Sequence, residues 1–526
     1  MTDHDVVIIG AGFAGLYQLH RLREAGFDAH VIEAGDDVGG TWFWNRYPGA
    51  RCDIESVEYS YSFDDDLQQE WEWSERYSAQ PELLRYLQHV ADRFDLRPDI
   101  TFGTRVEQLA WDEGAQQWTV RTDDRTTRTA RFVIAATGCL SVPSRPRFDG
   151  IDDFEGDLYW TSSWPHEGVD LTGKRVAVVG TGSSGLQTIT AIAPAVGTLT
   201  VFQRTACYAV PAHNGPVADV LAATKNRYPE LRATSRMTPS GYQCGIETTT
   251  LLDIPPGESR ASLDKRWDLG GLCFTDSFSD VLTDLDANAL ASEYVRQRIE
   301  EKVADPAIAA KLLPTFPIAA KRLCVDTGYY EVYNQDNVSL VDIAEEPIRR
   351  ITPRGIVAGD TEHELDVIIM ATGFDAMTGG LNAIEIRNDE ATLAEKWTDG
   401  PRTYLGLMSA GFPNLFTVTG PQSPSVLSNV VTSIEQHVEW IARALEHLRD
   451  RGLTRMEAMP ENEENWVTAT NDLADMTLFP QAASWYMGAN IPGKRRVFMP
   501  FVGGVGLYKQ ISDGVEAAGY HGFELT

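Results

Sequence analysis

The 526-residue chain has no run of about 18 consecutive apolar residues, so nothing in it reads as a membrane-spanning helix. Cysteine is scarce. The six present, Cys52, Cys139, Cys207, Cys244, Cys273 and Cys324, include no C-x-x-C or C-x-x-x-x-C pair, and the expectation is neither a disulfide framework nor a dithiol redox centre. The ten histidines form no H-E-x-x-H or similar cluster, so no metal site is predicted. Basic residues are in short supply as well: 45 Lys and Arg against 76 Asp and Glu leave a net charge of −31, which argues against nucleic acid or an anionic membrane as partner. No signal peptide precedes the strand-like run Asp5-Val6-Val7-Ile8-Ile9, and the expected location is the cytoplasm.

What the chain does have is core-forming material. With 43% hydrophobic and 23% charged residues it has the composition of a folded globular protein, with room for roughly two to four domains of ~150 residues each. Two segments share one pattern: an apolar β-rich run, a glycine-rich turn, then a helix-compatible stretch. The first joins Val6 to Ile9 onto Gly10-Ala11-Gly12-Phe13-Ala14-Gly15; the second joins Val176 to Val179 onto Gly180-Thr181-Gly182-Ser183-Ser184-Gly185. Both are G-x-G-x-x-G fingerprints between a strand and a helix, where the glycines let backbone approach a pyrophosphate and the helix N-terminus presents N–H groups to it. The candidate cofactor residues are thus Gly10, Gly12, Ala14 and Gly15 in the first motif. In the second they are Gly180, Thr181, Gly182, Ser183, Ser184 and Gly185, with Gln187 just beyond.

Spacing separates the two ligands. Eighteen residues past Gly15 stands Glu33, at the end of His30-Val31-Ile32; eighteen past Gly185 stands Gln203, followed by Arg204 and Thr205. An acid at that place accepts hydrogen bonds from ribose hydroxyls, whereas a neutral residue followed by Arg suits a ribose 2′-phosphate. The first site reads as FAD and the second as NADPH.

Two more strands end in one tripeptide, Ala136-Thr137-Gly138 and Ala371-Thr372-Gly373, at places where the chain would pass from one nucleotide-binding domain to the other. The predicted fold class is therefore α/β, with two Rossmann-like dinucleotide-binding domains and a helical insertion. Residues 1–141 and 375–526 would form a split FAD domain around an NADPH domain at 142–374, itself interrupted by helices over about 211–317. In that insertion Leu290, Tyr294, Val295, Ile299 and Val303 recur at helical spacing, and its expected role is a structural lid. A long helix is predicted from Val431, with Ile434, Val438, Ile441, Leu445 and Leu448 on one face.

A flavin beside a nicotinamide implies hydride transfer into the flavin. The cysteine positions deny a disulfide reductase; a monooxygenase would need a dry, cationic pocket to hold a peroxyflavin long enough to react. Over Gly39-Gly40-Thr41-Trp42-Phe43-Trp44-Asn45-Arg46-Tyr47-Pro48-Gly49-Ala50-Arg51-Cys52-Asp53 the sequence closely resembles the Baeyer-Villiger monooxygenases, the class B flavoprotein monooxygenases. The likeness extends through Val201 to Thr205, Ala320-Lys321-Arg322-Leu323, Tyr329-Tyr330-Glu331, Gly420 to Asn429 and Ala483-Ser484-Trp485-Tyr486. It implies oxidation of a ketone to an ester or lactone with NADPH and O₂ through a C4a-peroxyflavin. Arg322 would stabilise peroxide and adduct, and Asp53 would position Arg322. The resemblance further assigns Lys321 with Arg204 and Thr205 to the 2′-phosphate, Trp485 to the NADP ribose, Trp42, Tyr59, Val106 and Val430 to the FAD, and Ser425, Val426 and Leu427 to the border of the substrate pocket. One departure stands out: the fingerprint F-x-G-x-x-x-H-x-x-x-W-P has Trp160 in place of its histidine, between Phe154 and Trp164-Pro165. The alternatives are a related flavin monooxygenase acting on nitrogen or sulfur, or a nucleotide-binding protein that has lost turnover.

Overall fold

A computed structural model describes residues 2–526 of the chain. Its first sheet has eight strands, and the strand His4–Ile9 lies in its interior, hydrogen-bonded in parallel to Ala29–Ile32 on one side and Thr127–Ala135 on the other. Val6 and Ile8 are wholly buried, as a strand covered on both faces requires. This sheet also takes up Glu385–Arg387 and Leu415–Thr417 from far along the chain. A second sheet of five parallel strands has the order Val338–Asp342, Thr198–Gln203, Arg175–Val179, Val367–Met370, Asp157–Trp160. The first sheet is mixed, since Val106–Asp112, Gln117–Thr122 and Thr127–Ala135 pair antiparallel, and a fingerprint helix leaves each sheet: Phe13–Glu24 and Ser183–Ile192.

Each fingerprint is locked to its own Ala-Thr-Gly strand end. A Cβ on Gly10 would stand 2.7 Å from the Ala136 carbonyl oxygen, and one on Gly180 would stand 2.4 Å from that of Ala371. Between the two sheets the chain crosses twice, side by side. Pro143 and Phe374 form an antiparallel bridge, and Ser144 N donates to Gly373 O at 2.9 Å.

The helical excursion runs from Ala218–Lys225 to Pro306–Leu312, over a short parallel ribbon of Ala209–Pro211 and Cys324–Asp326. Its longest helix, Leu285–Lys302, buries Tyr294, Val295 and Ile299 and starts from Asp284, whose carboxylate accepts from the N–H groups of Asp286 and Ala287. The cysteine expectation is overturned here: Cys244 and Cys273 are disulfide-bonded. The two are 29 residues apart, and it is the folding of the insertion, not any local spacing, that joins them. Cys207 and Cys324 are free thiols, and Cys324 heads one strand of the ribbon. The helix Val430–Arg451 buries Ile434, Val438, Ile441, Leu445 and Leu448 and packs across the helix Phe13–Glu24. No helix among the described residues is long and apolar enough to cross a membrane.

Candidate active site

The first fingerprint leaves little freedom. A Cβ on Gly15 would overlap Gly10 O at 1.8 Å, so no other residue lets the helix sit this close to the strand. Glu33, 5% exposed, accepts from Ala11 N at 2.6 Å and Gly35 N at 2.7 Å. Burial pushes its carboxyl up, against those two N–H groups. The acid predicted to meet the ribose therefore also braces the phosphate loop, and its remaining lone pairs are left for a ligand. Glu33→Ala should release FAD on gel filtration and also lower Tm. Two backbone N–H groups lose a charged acceptor, at about 1.5–3 kcal/mol each. Unchanged flavin occupancy would remove Glu33 from the site.

Trp42 and Tyr59 form one buried unit beside that loop, the indole Nε1 donating to the phenol at 3.3 Å with the rings edge to face. Val106 is buried in its strand, and Val430 opens the long helix, whose N-cap Asn429 is wholly buried.

The second fingerprint is as tight at its third glycine, where a Cβ on Gly185 would stand 2.1 Å from Gly180 O, but is open at its middle one. A Cβ on Gly182 would meet nothing within 4 Å, and Thr181 Oγ1 donates to Thr205 O at 3.0 Å, tying the loop to the segment that carries Arg204. The Gln203 Nε2 donates to Lys311 O at 2.7 Å, but its buried Oε1 has no partner. Arg204 is exposed and Lys321 half-buried; desolvation first, and then Arg204, lowers the Lys321 ammonium below its ordinary range. Two mutually repelling cations beside an open glycine loop and an orphaned amide oxygen fit a phosphorylated dinucleotide.

Gln187 has protein partners at both ends of its amide. Its amide accepts from the Tyr47 hydroxyl at 2.9 Å and donates to Arg51 O at 3.1 Å, so it clamps the loop of the first sheet onto the helix of the second. Gly49 sits at this contact with φ +80°, and a Cβ there would lie 2.5 Å from Gln187 O. Ser183 Oγ lies 3.6 Å from Cys324 Sγ, and Ser184 O accepts from Thr188 Oγ1.

The clamped loop delivers Asp53 to Arg322. Nε and Nη2 of the guanidinium each donate to one carboxylate oxygen at 2.8 Å, and Nη1 donates to Val426 O at 3.0 Å. Three of five N–H groups are used, and the two left over are one each on Nη1 and Nη2. Both side chains are largely covered, with 20% of Arg322 and 26% of Asp53 accessible. Burial works against the charge of Arg322, but Asp53 outweighs it and holds the guanidinium protonated.

Several segments near the pair carry strained backbone. Five of the twelve described non-glycine residues with positive φ are Ala319, Met377, Thr419, Gln422 and Ser425, all on segments converging here. Such conformations cost about 1–3 kcal/mol each and persist where the surrounding structure over-determines them. Ser425 Oγ pairs with Cys139 Sγ at 2.9 Å, while Val426 and Trp485 pack against Cys139, Leu140, Met377 and Met499. Trp485, Val426 and Leu427 also join a cluster around Tyr486. In the insertion, the buried Asp276 accepts from the Tyr242 phenol and, at 2.8 Å, from Ser240 Oγ. No spacing in the sequence signalled them, whereas Cys139, directly after Ala136-Thr137-Gly138, was within reach of the motif reading.

Residues 7–247 match the family model of the pyridine nucleotide-disulphide oxidoreductases. Over its whole length the chain is 43% identical to an acetone monooxygenase (methyl acetate-forming) of Gordonia sp. (strain TY-5), covering 99% of that protein. It is 42% identical to a Baeyer-Villiger monooxygenase of Pseudooceanicola batsensis over 99% of this chain and 96% of the relative. The chain belongs to the Baeyer-Villiger monooxygenases. A solved structure, oxidised steroid monooxygenase bound to NADP, shares 49% identity and superposes with a TM-score of 0.95 over 99% of both chains. A phenazine N-monooxygenase of Lysobacter antibioticus is 40% identical over all of this chain and 97% of its own.

Within this family Trp160 is the departure to explain. It ends the edge strand Asp157–Trp160, paired with Met370, and its ring lies under the Arg145 guanidinium at 5.4 Å, on the linker between the sheets. The indole packs rather than titrates, so ketone turnover should persist in the wild type. Trp160→His should change KM for NADPH by a modest factor. Activity that appears only in the histidine variant would contradict this.

Proposed function

We propose that the chain is an FAD- and NADPH-dependent Baeyer-Villiger monooxygenase that converts ketones to esters or lactones with O₂. FAD belongs to the body built from residues 1–141 and 375–526, and NADPH to that of 142–374. A cytoplasmic location is part of the same reading. The observation that carries it is the bidentate Asp53–Arg322 pair at the meeting of the two fingerprints. Reduced by NADPH, the flavin would supply the activated oxygen.

The chain supplies placement and charge. Arg322 stays cationic at any working pH, and its two unused N–H groups are available to an oxygen that gains negative charge during the reaction. Asp53 fixes the plane of the fork. Ser425, Val426 and Leu427, with Trp485, close an apolar side against water, and apolar surroundings strengthen every charge interaction inside them. Glu33, Trp42, Tyr59, Val106 and Val430 are the residues proposed to hold the flavin; Arg204, Thr205 and Lys321 would grip the 2′-phosphate.

The test is a panel of small cyclic, macrocyclic, aryl and steroid ketones with NADPH and O₂, products identified. Ester or lactone in proportion to NADPH supports the reading. An N-oxide from a nitrogen heterocycle, with no ester from any ketone, would favour the nitrogen chemistry named for the Lysobacter relative.

A further inference from the structure

One helix reaches the segments on both sides of the Asp53–Arg322 pair. It is Ser183–Ile192, whose exposed N-terminus leaves the second fingerprint. On the Asp53 side the Gln187 side chain meets both polar backbone atoms of Arg51, two residues ahead of Asp53: Oε1 accepts from Arg51 N at 3.4 Å, and Nε2 donates to Arg51 O at 3.1 Å. The Tyr47 hydroxyl donates to the same Oε1 at 2.9 Å. Glycine is what lets the loop come this near, since a Cβ on Gly49 would lie 2.5 Å from Gln187 O and 3.0 Å from Ala191 Cβ, one turn on. The Arg51 guanidinium secures the far side of the loop, donating to Glu75 and to Tyr77 O at 2.8 Å each. On the Arg322 side the strand Cys324–Asp326 and the short helix Tyr329–Val332 pack against the same helix, and Ser183 Oγ lies 3.6 Å from the Sγ of Cys324, two residues past Arg322. Each partner of the ion pair is thus two residues from a contact on one element.

We propose that Gln187 is a positioning residue for the Asp53–Arg322 pair, through which the helix that receives the phosphorylated nicotinamide dinucleotide sets the place of Asp53 against the guanidinium. This rests on the roles given above to Arg322 and to the second fingerprint. A dinucleotide seated on the helix N-terminus restrains the helix, and Gln187, one turn further in, passes that restraint to the backbone of Arg51. An amide suits the task. Its two ends match the N–H and C=O of one residue, and it brings no charge that would compete with Asp53 for Arg322. Asp53 needs such seating because both of its oxygens are engaged at once, each at 2.8 Å from a different nitrogen of the fork, and a bidentate pair tolerates little displacement of either partner. Binding at one end of the helix is thereby coupled to order at the pair.

The experiment compares FAD-loaded wild type, Gln187→Leu and Tyr47→Phe. Its first readout needs no turnover: hydrogen exchange of the segment 46–53, followed by mass spectrometry with and without NADP⁺. In wild type NADP⁺ should slow exchange at the Arg51 N–H, which donates to Gln187, and in Gln187→Leu that slowing should vanish. The second readout is ester formed per NADPH, with KM for NADPH measured separately. Gln187→Leu should lose ~10-fold in ester per NADPH, because a small misplacement remote from the chemistry is felt at the reacting atoms. Its KM for NADPH should move far less, the reverse of what loss of a dinucleotide contact gives. Tyr47→Phe removes one donor to the amide and should lose ~2–3-fold. A wild type that makes no ester from any ketone would strike down the parent reading and this role with it. A wild type that makes ester, beside a Gln187→Leu that keeps the NADP⁺-dependent slowing or differs only by a raised KM for NADPH, would overturn the role of Gln187 alone. Should Gln187→Leu fail to fold, a Tyr47→Phe with the exchange and the ester per NADPH of wild type overturns it instead.

Discussion

Arg322→Ala will leave a folded, yellow protein that still oxidises NADPH but forms ~10²–10³ less ester, the usual cost of removing one donor aimed at developing negative charge. Its guanidinium is the cation at the junction, and it is already fixed in plane by two 2.8 Å bonds to Asp53. Loss of the side chain also strands Asp53 as an unpaired carboxylate in a deep position, so the variant should melt earlier than wild type. Stopped-flow absorbance separates the effects. Flavin reduction should survive, while reducing equivalents leave without product. Near-normal ester formation would move the chemistry away from Arg322. Arg322→Lys should restore little, because an ammonium cannot donate to both Asp53 oxygens in the plane of the fork.

The second large effect concerns the choice of nicotinamide. Arg204→Ala combined with Lys321→Ala should raise KM for NADPH ~10–100-fold and leave NADH nearly untouched, since charge-assisted contacts are worth about 1.5–3 kcal/mol and Arg204 is exposed enough to be discounted. Removal of Arg204 alone should also let the Lys321 ammonium titrate higher, because each cation disfavours the other. A double variant with the NADPH/NADH ratio of wild type would place the 2′-phosphate elsewhere.

Both nucleotide folds could be read from the chain because they are local: strand, glycine turn and helix are contiguous, and Glu33 and Gln203 follow each at equal distance. The pairing of Asp53 with Arg322 joins residues 269 apart, and it came from likeness to a family, not from periodicity. What stayed hidden is what the insertion contributes. Tyr242 and Asp276 lie between proline and glycine signals that mark turns but carry no information about which distant group a turn will face. The Cys244–Cys273 bond was hidden for the same reason. The protein contacts of Gln187 were hidden too, since they join it to Tyr47 and Arg51, about 140 residues away along the chain.

The side-by-side crossing at Pro143 and Phe374 has a consequence for recombination among relatives. Exchange of the block between those two points is topologically clean, because entry and exit share one bridge. Such a chimera would import Arg322, Lys321, Tyr242 and Asp276 together and inherit Asp53, Val426 and Trp485 from its host. Each crossover would thus set an imported Arg322 and Gln187 against the host's Asp53 and Tyr47, so the contacts across this boundary are the ones that decide whether a chimera holds together.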